Sequence, residues 1–238
     1  MIKSPKKILY RLLMTNTFSR RLLRKSMNTI FPGSAVYWEK RYRLKGNSGK
    51  GSYGKNAEYK AAVLNDFVSG HCISKVIEFG CGDGNQLKYF NFPDYVGLDV
   101  STTAIQQCKT IFKEDHLKQF YIYPGKTNLG NFKADLSISL DVIFHLVEDE
   151  VFEKYMIDLF MATSSYVIIY AWDVDGEKKY HVRQRNFSKW IKENIPSFHL
   201  KKHLESDTIN NFCDFFIYEK NGLSVNSFSR SCTNINYL

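Results

Sequence analysis

Apolar positions along the chain fall into short runs separated by amphipathic stretches. Val76–Phe79, Tyr95–Asp99, Gln119–Tyr123, Leu136–Leu140 and Tyr166–Ala171 are each four to six residues of strand-forming character. Between them lie stretches with helical period. From Asn56 to Val68, Ala57, Tyr59 or Lys60, Ala61, Leu64, Phe67 and Val68 fall near one face. Thr102 to Phe112 follows Ser101, which can accept at an exposed helix N-terminus. Glu148-Asp-Glu150 opens a helix running to about Ala162, its acids at the positive end of the helix dipole. Shorter helices are expected at Tyr37–Tyr42, at Asn85–Phe90 and after Ser188, which would cap a helix carrying Trp190 and Ile191. Phe198–Leu204 and Cys213–Glu219 read as two closing strands. Strand alternating with helix predicts an open α/β sheet.

The first strand breaks into glycine at alternate positions: Gly80, Gly82 and Gly84. Strand, glycine turn and helix is how such a sheet makes a nucleotide site, because glycine lets a ligand lie against bare main chain. The second strand ends in an acid, Asp99, 21 positions after Glu78. An acid there can accept both ribose hydroxyls of a nucleoside. The dehydrogenase fingerprint is Gly-x-Gly-x-x-Gly. Here the third glycine comes one residue early, and Glu78 precedes the first. Glu78-x-Gly80-x-Gly82-x-Gly84 with Asp99 resembles the class I S-adenosylmethionine-dependent methyltransferases, over roughly residues 37 to 220.

That resemblance implies a Rossmann-like, seven-stranded, mostly parallel sheet with helices on both faces and a closing antiparallel hairpin. It implies S-adenosylmethionine as cofactor and S-adenosylhomocysteine as product. Residues 37–54 look like a cofactor lid, in which Arg41 would meet the methionine carboxylate while Tyr37 and Trp38 close over the cofactor. Gly49-Lys50 fails as a phosphate loop, since Leu44 and Gly51 stand where Gly and Ser or Thr are required. Val100, Leu140 and Asp141 are expected at the cofactor beside Glu78, the glycines and Asp99. Related enzymes often carry an acid after the third strand for the adenine amino group; here Tyr123 to Asn128 has none, leaving Asn128 or a main-chain carbonyl.

Asp141 and His145 follow the fourth strand at its carboxyl end, where open α/β sheets place ligands. His145 is the candidate base, with Asp141 orienting it or holding the cofactor amine. Residues 172–196 exceed a minimal domain and form the substrate insertion. His181, Arg183 and Arg185 alternate there, which puts them on one face of an extended segment suited to an anionic or hydroxylated acceptor. The acceptor is expected to be a glycan, sugar phosphate or lipid-linked saccharide, with Tyr170 among its contacts. A small soluble metabolite, or a cofactor-binding subunit without turnover, is the alternative. No metal is expected.

Charge changes the picture at one end. The chain of 238 residues has 33 basic and 24 acidic residues, a net charge of +9. Eight cations and no acid lie in residues 1–34, so the other 204 residues carry 25 basic against 24 acidic. The basic arm interleaves these charges with residues such as Leu12, Leu13, Phe18, Leu22 and Leu23. It reads as an amphipathic segment for an anionic membrane surface, or else as a helical arm packed on protein. Nucleic acid is the weakest fit, because the body has no basic stripe. Five cysteines without a Cys-x-x-Cys pair argue against a disulfide scaffold or a zinc site and fit a reducing cytosol; with the basic arm, the expected placement is cytoplasmic, peripheral on the inner face of the membrane. The tail from 221 to 238 is polar.

Overall fold

The computed structural model describes residues 31–123, 133–206 and 213–223. The basic arm up to residue 30, Asn128 and the tail beyond 223 lie outside them. In chain order the elements are α1 (Ser34–Arg43), α2 (Gly54–Gly70), β1 (Lys75–Phe79), β2 (Asp94–Asp99), α3 (Thr102–Ile111), β3 (Lys118–Ile122), β4 (Ala134–Leu140), α4 (Asp149–Met161), β5 (Thr163–Ala171), β6 (Lys178–Lys179), β7 (Val182–Arg183), α5 (Phe187–Asn194), β8 (Phe198–Leu204) and β9 (Asp214–Lys220).

Seven strands form one sheet in the order β3-β2-β1-β4-β5-β9-β8. β1 to β5 pair in parallel, and β9 is antiparallel to both of its neighbours. The chain runs outward from β1 through β2 to β3, then returns to lay β4 and β5 on the other side. That reversal opens a crevice at the carboxyl ends of β1 and β4. β1, β2 and β4 are buried almost throughout, as their continuous apolar runs require when helices cover both faces. The edge strand β8 is mostly exposed, and its lysines and histidines blunt it against pairing with another chain.

Two local expectations change. Asn85–Phe90 is a single 3-10 turn, Gln86–Tyr89, rather than a helix. Just before it, Gly84 packs closely on Cys108 and Phe112, where a Cβ would come within 3.0 Å of each. α5 is capped by Asn186, whose side chain accepts from the Lys189 amide, two residues before the expected Ser188. The Ser101 cap of α3 forms as expected, accepting from the Ala104 amide. Cys81, Cys108 and Cys213 are buried thiols.

α1 is placed by polar anchors, since only Ser34 and Tyr42 are buried along it. At its start the Ser34 amide and hydroxyl donate to the two Glu148 carboxylate oxygens, at 2.9 and 2.6 Å. In its middle, Glu39 accepts from the Ser101 and Thr103 hydroxyls, both at 2.7 Å, and from the Thr103 amide at 3.1 Å. α1 therefore bridges the crevice from the start of α3 to the loop after β4.

Candidate functional site

The glycine turn leaves β1 with Gly80, Gly82 and Gly84 all at positive φ. Side chains are excluded there for two different reasons. A Cβ on Gly80 would overlap Val142, and one on Gly82 would overlap Ser48 and sit 2.9 Å from the Tyr42 hydroxyl. The turn is held to β2 by the Gly80 and Cys81 amides, which donate to the Leu98 carbonyl. Asp99 then completes the link. Its Oδ2 accepts from the Gly82 amide at 3.0 Å and its Oδ1 from the Ser101 amide at 2.8 Å. Burial pushes the Asp99 carboxyl up to about 6, and those two amides restrain the rise.

Glu78 lies deeper. Burial raises its pKa to about 7, opposed by the donating Tyr95 hydroxyl and by the charge of Lys60. Lys60 was not singled out by the sequence, where it reads as one more position on the inner face of α2. It is fully buried and makes a 2.6 Å ion pair with Asp141. The Tyr170 ring, 5.4 Å away, lies beneath the ammonium. Asp141 itself takes φ of 60°, unusual for a side-chain-bearing residue. The lid touches it: a Cβ on Gly51 would overlap the Asp141 carboxylate. A buried lysine is tolerable only with such a partner, so the pair fixes where β4 ends relative to α2.

The lid is held by a second unforeseen residue, Asp83. Its Oδ2 accepts from the Ser48 amide at 3.0 Å and the Tyr53 hydroxyl at 2.8 Å, and its own amide donates to Ser48 Oγ at 3.1 Å. Residues 48–53 are thereby fastened across the glycine turn. Under this cover lies a cavity of about 460 Å³. Trp38, Glu78, Gly80, Gly82, Asp99, Val100, Leu140, Asp141 and His145 all line it, so most of the expected site residues converge. Lys60 and Gln86 line it too. Gln86 donates its amide to the Ala57 carbonyl, while its Oε1 is buried without a donor.

Other expected residues lie outside the cavity wall. Gly84 packs on α3. Arg41 donates to the Asn47 carbonyl and stands over the Trp38 ring. Tyr37 stacks on His181 with centroids 4.7 Å apart. Tyr170 is buried beneath Lys60. Arg183 and Arg185 both pair with Asp149, and Arg185 also donates to the Leu146 and Val147 carbonyls. The arginine face thus grips the loop after β4.

His145 ends the 3-10 turn Ile143–His145 at the far side of the cavity. Its ring stands edge-on to Trp38 at 4.9 Å and stacks over His181 at 5.4 Å. Nδ1 is 2.9 Å from the His181 carbonyl. Burial lowers its pKa to about 4, despite that hydrogen bond, so the imidazole is neutral at pH 7.

No family model and no curated relative matches the chain. Solved structures do. The N-methyltransferase NodS from Bradyrhizobium japonicum, in complex with S-adenosylhomocysteine, superposes with a TM-score of 0.56 at 14% identity, over 79% of this chain and 99% of that one. Magnesium protoporphyrin IX methyltransferase from Synechocystis, also with bound S-adenosylhomocysteine, gives 0.54 at 14% identity, over 84% and 99%. The methyltransferase domain of a bacterial Hen1 gives 0.54 at 17% identity, over 68% and 97%. At such identities the likeness concerns the backbone, and on it the chain has the class I S-adenosylmethionine-dependent methyltransferase fold.

Proposed function

We propose that the protein transfers a methyl group from S-adenosylmethionine to a hydroxyl oxygen of a saccharide acceptor. The observation that supports the cofactor part of this reading is one cavity under the lid, lined by Asp99 and the glycine turn and also by Lys60, Asp141 and Gln86. Asp99 keeps lone pairs beyond those given to Gly82 and Ser101, and so can accept ribose hydroxyls. Gln86 Oε1 is a buried acceptor without a donor, which costs stability until an N–H group arrives. An amino-acid ammonium is such a group. Lys60 and Asp141 form an ion pair whose two charges complement an amino-acid carboxylate and ammonium.

When bound, the cofactor supplies an electrophilic methyl carbon on a sulfonium. The chain's part is to hold the acceptor oxygen in line, exclude water and receive the hydroxyl proton. His145 Nε2 is the base for that proton. A neutral imidazole of low basicity receives it as the new bond to carbon forms and the acceptor oxygen loses its hold on the proton.

Engagement of Arg183 and Arg185 with the protein's own carbonyls and Asp149 favours a neutral hydroxylated acceptor over a sugar phosphate. Trp38 gives the acceptor side an aromatic wall suited to a sugar ring, with Tyr37 packed edge-on against it from outside the cavity. The lipid-linked form of the reading rests on the basic arm. No helix among the described residues is long and apolar enough to cross a membrane, and no apolar run in the sequence of the arm reaches the roughly 18 residues a span needs, so the attachment proposed is peripheral. About 1 kcal/mol per cation near an anionic leaflet makes such attachment reversible and salt-sensitive.

Calorimetry with S-adenosylmethionine and S-adenosylhomocysteine tests the cofactor, and S-adenosylhomocysteine release over a panel of sugars, sugar phosphates and small metabolites tests the acceptor. Absence of cofactor binding sinks the proposal. Binding without turnover on any acceptor supports a non-catalytic subunit instead. Pelleting with anionic vesicles that is lost on removing residues 1–30 supports the lipid-linked form.

A further inference from the structure

The hairpin that carries His181 touches His145 by its backbone as well as its ring. β6 and β7 are joined by Tyr180 and His181, and this tip lies against α1 and the loop after β4. Three rings stack in a column, Tyr37 on His181 and His181 on His145, with interplanar angles of 15° and 13°. A carbonyl oxygen can only accept a hydrogen bond. The 2.9 Å contact from His145 Nδ1 to the His181 carbonyl therefore places the imidazole proton on Nδ1. Nε2 then keeps its lone pair. A histidine side chain free in water favours the opposite tautomer, with the proton on Nε2, and in that form His145 has no lone pair on Nε2 with which to accept a proton.

The tip does not hold this position by apolar packing alone. Arg183 and Arg185, on and just after β7, reach back to the loop that carries His145. Arg183 Nη1 is 2.7 Å from Asp149 and 3.3 Å from the Val147 carbonyl. Arg185 donates to the Leu146 carbonyl at 2.6 Å and the Val147 carbonyl at 3.1 Å, with its guanidinium 4.6 Å over the Phe152 ring. The planar fork of donors matches two successive carbonyls, which a lysine could not do. The hairpin foot is tied separately, by the Ser188 amide to Asp173 and the Asn186 amide to Asp175.

We propose that the β6–β7 hairpin is the tautomer-setting element for His145, and that Arg183 and Arg185 are positioning residues that seat it. The methyl-transfer reading says what the lone pair is for; the seating itself can be tested without any acceptor. Protein labelled with ¹⁵N-histidine would be examined by long-range ¹H–¹⁵N correlation at neutral pH, with His145 identified by the signals lost in His145→Gln. Wild type should show the Nδ1–H tautomer at His145. Arg183→Met combined with Arg185→Met should move the proton to Nε2, with S-adenosylhomocysteine affinity unchanged. Arg183→Met alone, at the more exposed arginine, should give a mixture of the two tautomers and serves if the double variant does not fold.

An Nε2–H tautomer in wild type overturns the proposal, as does a pure Nδ1–H tautomer in the variants. Calorimetry on the same samples keeps the two ideas apart. Failure to bind S-adenosylhomocysteine would count against methyl transfer and leave the tautomer result standing by itself.

Discussion

The two ends of the cavity are built in different ways. At the glycine turn the working groups are main-chain amides and one carboxylate. They are fixed by strand pairing between β1 and β2 and by residues within about twenty positions of one another. At the other end the proposed base, His145, is a side chain whose neighbours come from two distant segments: α1 and the β6–β7 tip. A site made of backbone follows from where glycines interrupt a strand. A site made of side chains depends on which partners long-range packing brings to them. The arginines show the difference. Alternation along the chain put them correctly on one face, yet that face meets the protein's own Leu146, Val147 and Asp149.

This contrast predicts that changes at one end should move one observable and spare the other. The largest effect is expected at the side-chain end. His145→Ala should lower turnover by roughly 10²–10⁴-fold, the usual contribution of a general base, while calorimetric affinity for S-adenosylhomocysteine stays as in wild type. Normal turnover would make His145 structural and dissolve the functional distinction between the two ends.

Next comes Asp99→Ala. Losing a charge-assisted hydrogen bond costs about 1.5–3 kcal/mol, so cofactor affinity should weaken by roughly 10- to 150-fold per ribose bond lost. The His145 tautomer should not change. If affinity is untouched, the nucleoside end lies elsewhere in the cavity.

A smaller loss is expected from Gly82→Ala. Its left-handed φ of 58° costs a side-chain-bearing residue about 1–2 kcal/mol, and the new methyl group pushes on Ser48 in the lid. That cost falls on the folded state, so the variant should melt roughly 2–8 °C below wild type, measured by thermal unfolding. An unchanged melting temperature would show that the turn and the lid yield to the new methyl group without consequence.

The smallest effect concerns Glu78. Its folded pKa, raised to about 7 from an ordinary 4.5, means that the native state keeps a proton the unfolded chain has already lost. Stability from this group is therefore highest at low pH and falls as pH rises between about 4.5 and 7. Glu78→Gln removes that dependence. The melting temperature of wild type minus that of the variant should fall by a few degrees across that window and stay level above it. Both proteins keep His145 and Asp99, so their titrations cancel in the difference. A flat difference would place Glu78 in a more solvated setting than the one described.

Periodicity along the chain was enough to determine the strands and the long helices of the parallel half, though not the short turn after Gly84, because burial on both faces of a sheet demands continuous apolar runs and glycine turns demand glycine. The Glu78, Gly80, Gly82, Gly84 and Asp99 pattern was legible for the same reason: its residues act through one local strand–turn–strand unit. Tertiary structure alone decided the rest. Lys60 was only an alternative to Tyr59 on the apolar face of α2, with no role, until Asp141, 81 positions later, arrived as its counter-ion. Asp83 looked like a turn residue until the lid closed on it. Arg41 turned to Asn47, and the arginine pair turned inward to carbonyls 36 to 39 positions away. A carbonyl or carboxylate partner has no periodicity to betray it. Its identity depends on loop paths and on α1 crossing the crevice, and those are set by long-range hydrogen bonds such as Ser34 to Glu148, 114 residues apart.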